Sequence, residues 1–142
     1  MFVLDTNVVS ELRKIRSGKA DPNVVQWADS VDAGSLYISA ITVLELEIGI
    51  LQIERKDPEQ GGVLRTWLDT LVLPAFRGRI FVVDTAVAQC CGRLHVPDRR
   101  AERDALIAAT ALVHGMTVVT RNVADFVPTG VVLLNPWDAC AS

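Results

Sequence analysis

AERDALIAATALVHGMTVVTRN, residues 101–122, is the stretch that decides the fold. After Asp104 its apolar residues recur on nearly every side, the pattern of a buried helix running from Ala101 to His114. Gly115 is well placed as its C-cap. Thr117-Val-Val-Thr120 is then a short β-branched strand, and Arg121-Asn122 turns away from it. A buried helix feeding a short apolar strand is half of a repeating α/β unit.

The rest of the chain repeats that grammar. Phe2-Val-Leu4 is an apolar run ending on Asp5-Thr6-Asn7, three good N-cap residues, so strand, turn and a helix to about Lys14 are expected. Asp21-Pro22 opens a second helix through Trp27. Leu36-Tyr-Ile38 is a second strand, and Ser39 or Thr42 starts a helix that continues to about Arg55. Lys56 to Gly62 reads as the clearest break in the chain. A further helix holds Trp67, Leu68 and Leu71 and stops before Pro74. Ile80 to Val83 is a third strand, Asp84 or Thr85 caps a helix reaching Leu94, and Val96 to Arg100 is a loop. Val131 to Leu134 is a fifth strand. Short continuous apolar strands alternating with helices predict a three-layer α/β/α sandwich around a mainly parallel sheet of about five strands. Residues 1–142 read as a single domain.

Composition narrows the function classes. The chain has 142 residues, a net charge of −3 and 22% charged residues, so any nucleic acid should be a transient substrate rather than a cargo held by charge. Met-Phe-Val-Leu meets Asp5 without a basic or long apolar segment, so neither a signal peptide nor a membrane span is expected. Cys90, Cys91 and Cys140 are an odd count without a CxxC pair, which suits a reducing cytoplasm and buried thiols.

In such a sheet, ligands bind beyond the carboxyl ends of the strands. Asp5 ends the first strand, and Glu45 falls in the first turn of the helix after the second. Asn122 and Asp125 follow the fourth strand. Asp104 lies about ten residues, ~15 Å of helix, before His114, so it stands level with the far end of the strand that helix feeds. Gathered carboxylates repel, which calls for a hard divalent cation, Mg²⁺ or Mn²⁺. Such an ion can polarise a phosphodiester and activate water. Each acid also has a bland alternative. Asp5 can be a helix cap, Thr42-Val-Leu-Glu45 a capping box, and Asp104 a first-turn acid favoured by the helix dipole. Glu47 competes with Glu45, since both have mostly apolar helical neighbours, and periodicity does not choose between them.

Val3-Leu-Asp5-Thr-Asn7, Thr42-Val-Leu-Glu45-Leu46, Arg103-Asp104-Ala-Leu-Ile-Ala-Ala-Thr110 and Val119-Thr-Arg-Asn122-Val-Ala-Asp125-Phe126 together resemble the PIN-domain family. The likeness is to VapC- and FitB-type toxins of bacterial toxin–antitoxin pairs, and Leu134-Asn-Pro-Trp137 adds to the FitB-type likeness. The resemblance implies a Mg²⁺- or Mn²⁺-dependent endoribonuclease, neutralised by a cognate antitoxin and usually dimeric. It places the first three acids on Asp5, Glu45 rather than Glu47, and Asp104, with Asp5 and Asp104 on the metal. Its fourth site falls on Asn122, which brings no charge, with Asp125 three residues along as the substitute. Thr6 and Thr120 are candidate hydroxyls holding the acids.

Arg100 and Arg103, with Arg99, are read as a phosphate clamp, against a solvated loop pairing with Asp98 and Glu102. The helix spanning Ile41 to Ile53 is apolar on nearly every side, which means either deep burial within this domain or, as the resemblance implies, a surface shared with an antitoxin or a second copy. The three tryptophans read as core or interface anchors rather than base-stacking platforms. Two other classes compete. One is a PIN-like module that binds without cutting. The other is a phosphoacceptor using Asp84, but such chemistry needs a late-strand lysine, and the only lysines are Lys14, Lys19 and Lys56.

Overall fold

A computed structural model describes residues 1–138; Cys140 lies outside them. Five strands form one sheet: β1 (Phe2–Leu4), β2 (Leu36–Ser39), β3 (Ile80–Phe81), β4 (Thr117–Val119) and β5 (Leu133–Leu134). Their order is β3-β2-β1-β4-β5, and every pairing is parallel. Phe2 stands opposite Leu36 on one side and Thr117 on the other. The chain therefore builds outward from β1 in one direction through β2 and β3, then returns to the other side for β4 and β5. The switch lies between β1 and β4, where an open α/β sheet leaves a crevice at its carboxyl edge.

One face of the sheet packs against α1 (Thr6–Arg13) and α2 (Pro22–Ser30), with Leu4, Ile38, Val119 and Trp27 in a common core. The other face is covered by α7 (Glu102–His114), whose Ile107, Ala108 and Ala111 meet Val3, Val118 and Phe126. Val87, Cys90 and Cys91 of α6 (Thr85–Leu94) close that layer against Ala105 and Ala109. Small alanines on α7 let it lie close to both the sheet and α6. Gly115 ends α7 at φ +65°, a left-handed conformation that glycine adopts without steric strain.

Three boundaries differ from the sequence reading. The expected break at Lys56–Gly62 is only a hinge at Asp57: α3 (Ala40–Lys56) turns directly into α4 (Pro58–Trp67). Asp57 caps α4 through the Gln60 N–H, with Pro58 at the first helical position. Gly61 is inside that helix because α3 passes so close. A Cβ there would sit 2.6 Å from the Glu54 Cα and 2.9 Å from its N. The helix also does not stop before Pro74. A π-helical turn at Leu68–Val72 leads into α5 (Leu73–Ala75), so Pro74 begins a new turn, where a missing N–H is no loss. Finally, β3 ends at Phe81 rather than Val83, and β5 holds only Leu133–Leu134. Val82, Val83 and Val132 are exposed instead of continuing the ladder.

Candidate active site

Asp5 is the centre of the site. It lies where β1 becomes α1 and is 5% exposed. Its N–H donates to the Val119 carbonyl of β4 at 2.9 Å, which fixes its backbone to the neighbouring strand. The carboxylate is then held from three directions. The Thr6 N–H donates to Oδ1 at 2.8 Å, the Thr120 hydroxyl to Oδ2 at 2.8 Å, and the Asn7 amide to Oδ2 at 3.2 Å. Thr120 can donate in that direction because its oxygen accepts the Asn122 N–H at 3.0 Å. Burial pushes the Asp5 carboxyl above its ordinary range, opposed by the Thr120 and Thr6 hydrogen bonds and reinforced by the charges of Glu45 and Asp125.

Glu45 reaches the same place from α3. The helix is capped by Ser39, whose hydroxyl accepts the Ile41 N–H, so Glu45 stands in the second turn rather than the first. The Thr42–Glu45 capping box is thereby excluded. Glu45 instead accepts the Thr6 hydroxyl at 2.7 Å, and Thr6 also lies 3.4 Å from the buried Thr42 hydroxyl. Glu47 is engaged elsewhere. Arg65 of α4 holds both its oxygens, at 2.6 and 2.9 Å, so the structure separates the two glutamates that periodicity left equal.

Asp104 arrives in the first turn of α7. Desolvation, then the charges of Asp5, Asp125 and Glu45, push its carboxyl up to about 6. Asp125 of α8 (Val123–Phe126) is thus within electrostatic reach of both Asp5 and Asp104, although it is exposed. Asn122 is exposed, and its backbone, not its side chain, makes the bond to Thr120. Asp84 is remote in role: its carboxylate caps α6 through the Val87 N–H at 2.9 Å.

The arginines divide. Arg103 is half exposed and stands 3.7 Å from Glu45 Oε2. Among the described residues none of Arg99, Arg100 and Arg103 pairs with Asp98 or Glu102. Arg100 Nε donates to the Leu94 carbonyl at 2.7 Å, and its N–H to His95 Nδ1 at 3.1 Å, so part of this side chain holds the loop in shape. A crevice of about 370 Å³ opens between Arg99, Arg100, Asp104 and Asp125. Asn7 was missed beyond its N-cap chemistry. It links Asp5 to the next loop, because its Oδ1 accepts the Arg121 N–H at 3.3 Å.

Among the described residues no three histidine, cysteine or acidic side chains already stand as a ligand set for one ion. Mg²⁺ is commonly held by only one or two carboxylates with waters completing its shell. The donor chemistry fits such an ion: hard oxygens only, buried and close enough together that desolvation first and mutual charge next raise the Asp5 and Asp104 pKa values, with Arg103 as the sole ion-pair cation against the four acids among the described residues.

Residues 2–126 match the family model for the PIN domain. The chain is 35% identical to the VapC ribonuclease Y4jK of Sinorhizobium fredii, across 97% of this chain and 99% of that one. It is 36% identical to Toxin FitB of Neisseria gonorrhoeae, across 96% and 99%. A chain in the crystal structure of FitAcB from Neisseria gonorrhoeae superposes with a TM-score of 0.86 at 36% identity, covering 96% of this chain and 99% of that one. The sheet order, the acids gathered at its switch point and these full-length likenesses agree, and the chain belongs to the PIN domain family.

Proposed function

We propose that this protein is a divalent-metal-dependent endoribonuclease that acts as the toxin of a toxin–antitoxin pair. The observation that carries the reading is the convergence of Asp5, Glu45, Asp104 and Asp125 on one sheet edge, where burial first and the neighbouring acids next raise Asp104 to about 6. The names of the two relatives, a VapC ribonuclease and a toxin, support RNA as the substrate and toxicity as the role. Among the described residues no helix is long and apolar enough to cross a membrane. We place the protein in the cytoplasm with its RNA, its cognate antitoxin and a second copy of itself.

Asp5 and Asp104 would hold Mg²⁺ or Mn²⁺, which when bound polarises a phosphodiester and activates a water for in-line attack. The chain's own residues prepare the site. Thr6 orients two acids at once, giving its N–H to Asp5 and its hydroxyl to Glu45. Thr120 turns Asp5 so that the carboxylate cannot swing away. Arg103, near Glu45 and half exposed, is placed to take a substrate phosphate, and Arg100 lines the crevice that holds Asp104 and Asp125. Asn122 lies at the end of the fourth strand, where it can hydrogen-bond a water without adding charge.

The test is cleavage of a panel of structured RNAs by purified protein, with and without Mn²⁺. Cleavage should require the ion, and Asp5→Asn or Asp104→Asn should lower it by ~100-fold or more while leaving the fold intact. Full activity in either variant, or in excess chelator, overturns the nuclease mechanism. RNA binding without cleavage by the wild type would instead favour a module that binds only.

A further inference from the structure

Arg121 is an exposed cation that no acid claims. It follows Thr120 and precedes Asn122, and its guanidinium lies over the Trp137 ring, 5.2 Å from its centre. Among the described residues it forms no ion pair. Glu11 feels its charge weakly, but that carboxylate is already occupied by Lys14 at 3.1 Å and by the Asp21 N–H at 2.8 Å. Trp137 is itself anchored. Its ring packs on the α1–α2 core, its backbone N–H donates to Asn135 Oδ1 at 2.9 Å, and its backbone carbonyl accepts the Asn23 amide at 2.8 Å. The ring is a fixed platform, and Arg121 lies over it as a planar donor group, preorganised by a cation–π contact.

The position of this pair matters. Arg99, Arg100 and Arg103 approach the acids from the α7 face of the sheet. Trp137 belongs to the opposite, α1–α2 face. Asp5 lies between them, at the end of β1. Moreover, the backbone of Arg121 is tied to Asp5 by the same side chain that grips the carboxylate, since Asn7 donates to Asp5 Oδ2 and accepts the Arg121 N–H. The backbone from which the Arg121 side chain springs is therefore held in register with the acids.

We infer that Arg121, supported by Trp137, is a second RNA contact on the far side of the acid cluster. It binds the backbone phosphate, and stacks on the base, of a single-stranded nucleotide that has crossed the sheet edge from the Arg100–Arg103 side. Guanidinium planes serve both purposes in single-stranded RNA recognition, and phosphate contacts of this kind set register without reading sequence. Two cationic flanks explain how a chain of net charge −3 can draw a polyanion across an acidic centre. The inference rests on the nuclease reading for its substrate, and the experiment is chosen to separate the two.

Wild type, Arg121→Ala, Arg121→Lys and Trp137→Phe would be compared on a short, dye-labelled single-stranded oligoribonucleotide of mixed sequence. Cleavage kinetics with Mn²⁺ and anisotropy binding in chelator would both be measured, across a salt series. Arg121→Ala should raise KM and Kd about fivefold with kcat within about twofold, and should reduce the salt slope by roughly 0.7, the value for one phosphate contact on a single strand. Arg121→Lys should recover the slope but not the full affinity, because the ammonium keeps charge and loses the plane. Trp137→Phe should weaken binding about twofold and reduce the RNA-induced quenching of the indole emission, leaving only the share of Trp27 and Trp67. Unchanged KM, Kd and slope in Arg121→Ala would overturn the inference, as would a lower melting temperature with unchanged RNA binding, which marks a purely structural pair. A wild type that binds but does not cut overturns the nuclease reading alone, and Arg121 is then judged on Kd. One that neither binds nor cuts overturns both.

Discussion

At Asp104, burial and charge act in the same direction. Its carboxyl is pushed up to about 6 from an ordinary 3.8 by desolvation first and by Asp5, Asp125 and Glu45 next. Because the folded value is the higher one, the folded state holds a proton between those pH values that the unfolded chain has lost. Stability without divalent cations therefore falls as pH rises through that window. Asp104→Asn should be more stable than wild type in chelator at pH 7.5, by about 1 kcal/mol after allowing for partial exposure, and indistinguishable from it below about pH 3.5. Thermal melts across pH would check this; an equal or lower melting temperature at pH 7.5 contradicts the burial of Asp104 among the other acids. The paired glutamates give a second contrast. Glu45→Gln should lower RNA cleavage by at least about tenfold with little change in stability. Glu47→Gln should spare cleavage and lower stability by up to about 1 kcal/mol, since it weakens the Arg65 fork on a partly exposed surface. Parallel loss of activity in both would remove the distinction. Glu45 was legible by family likeness alone. The reason it differs from Glu47, Thr6 on one side and Arg65 on the other, needed residues 39 and 18 positions away.

Among the elements, the α3–α4 hairpin shows where a local rule misleads. Gly61-Gly62 reads as a loop because glycine is a poor helix former. Here Gly61 is a packing residue, and its missing side chain lets the Glu54 backbone come within contact of α4. Gly61→Ala should therefore destabilise the protein by about 2 kcal/mol despite raising helix propensity, while Gly62→Ala, with open space around it, should be neutral or slightly stabilising. Chemical denaturation of the two variants distinguishes them; equal effects would mean the helices are not in close contact at Gly61. The same hairpin leaves Leu44 46% and Leu51 51% exposed, so only part of the apolar circumference of α3 is used within the chain. The sequence pattern correctly implied more apolar surface than one core needs. Which stripe turns inward, with Leu46 and Ile50 buried, follows from the angle at which α4 folds back.

At the scale of the whole molecule, the sheet order turns distant residues into one site, and a bound divalent ion should register as global stability. Mg²⁺ or Mn²⁺ in excess over its Kd should raise the melting temperature of the wild type, by about 2.7 kcal/mol of added stability at a hundredfold excess, and leave Asp5→Asn nearly unmoved. An equal rise in both would place the ion elsewhere. The sequence by itself determined the alternation of short apolar strands with capped helices, hence a parallel sheet with both faces covered. It also determined that Asp5, Asp104 and the residues after β4 lie at one edge, because strand direction and helix length leave no other placement. The tertiary structure decided which groups touch: Thr6 joining Asp5 to Glu45, Asn7 joining Asp5 to Arg121, and Arg121 resting on Trp137. The division has a physical cause. Periodicity and capping act over one or two turns and can be read from neighbours, whereas hydrogen bonds between side chains up to 115 positions apart depend on strand order, and on register to within an ångström.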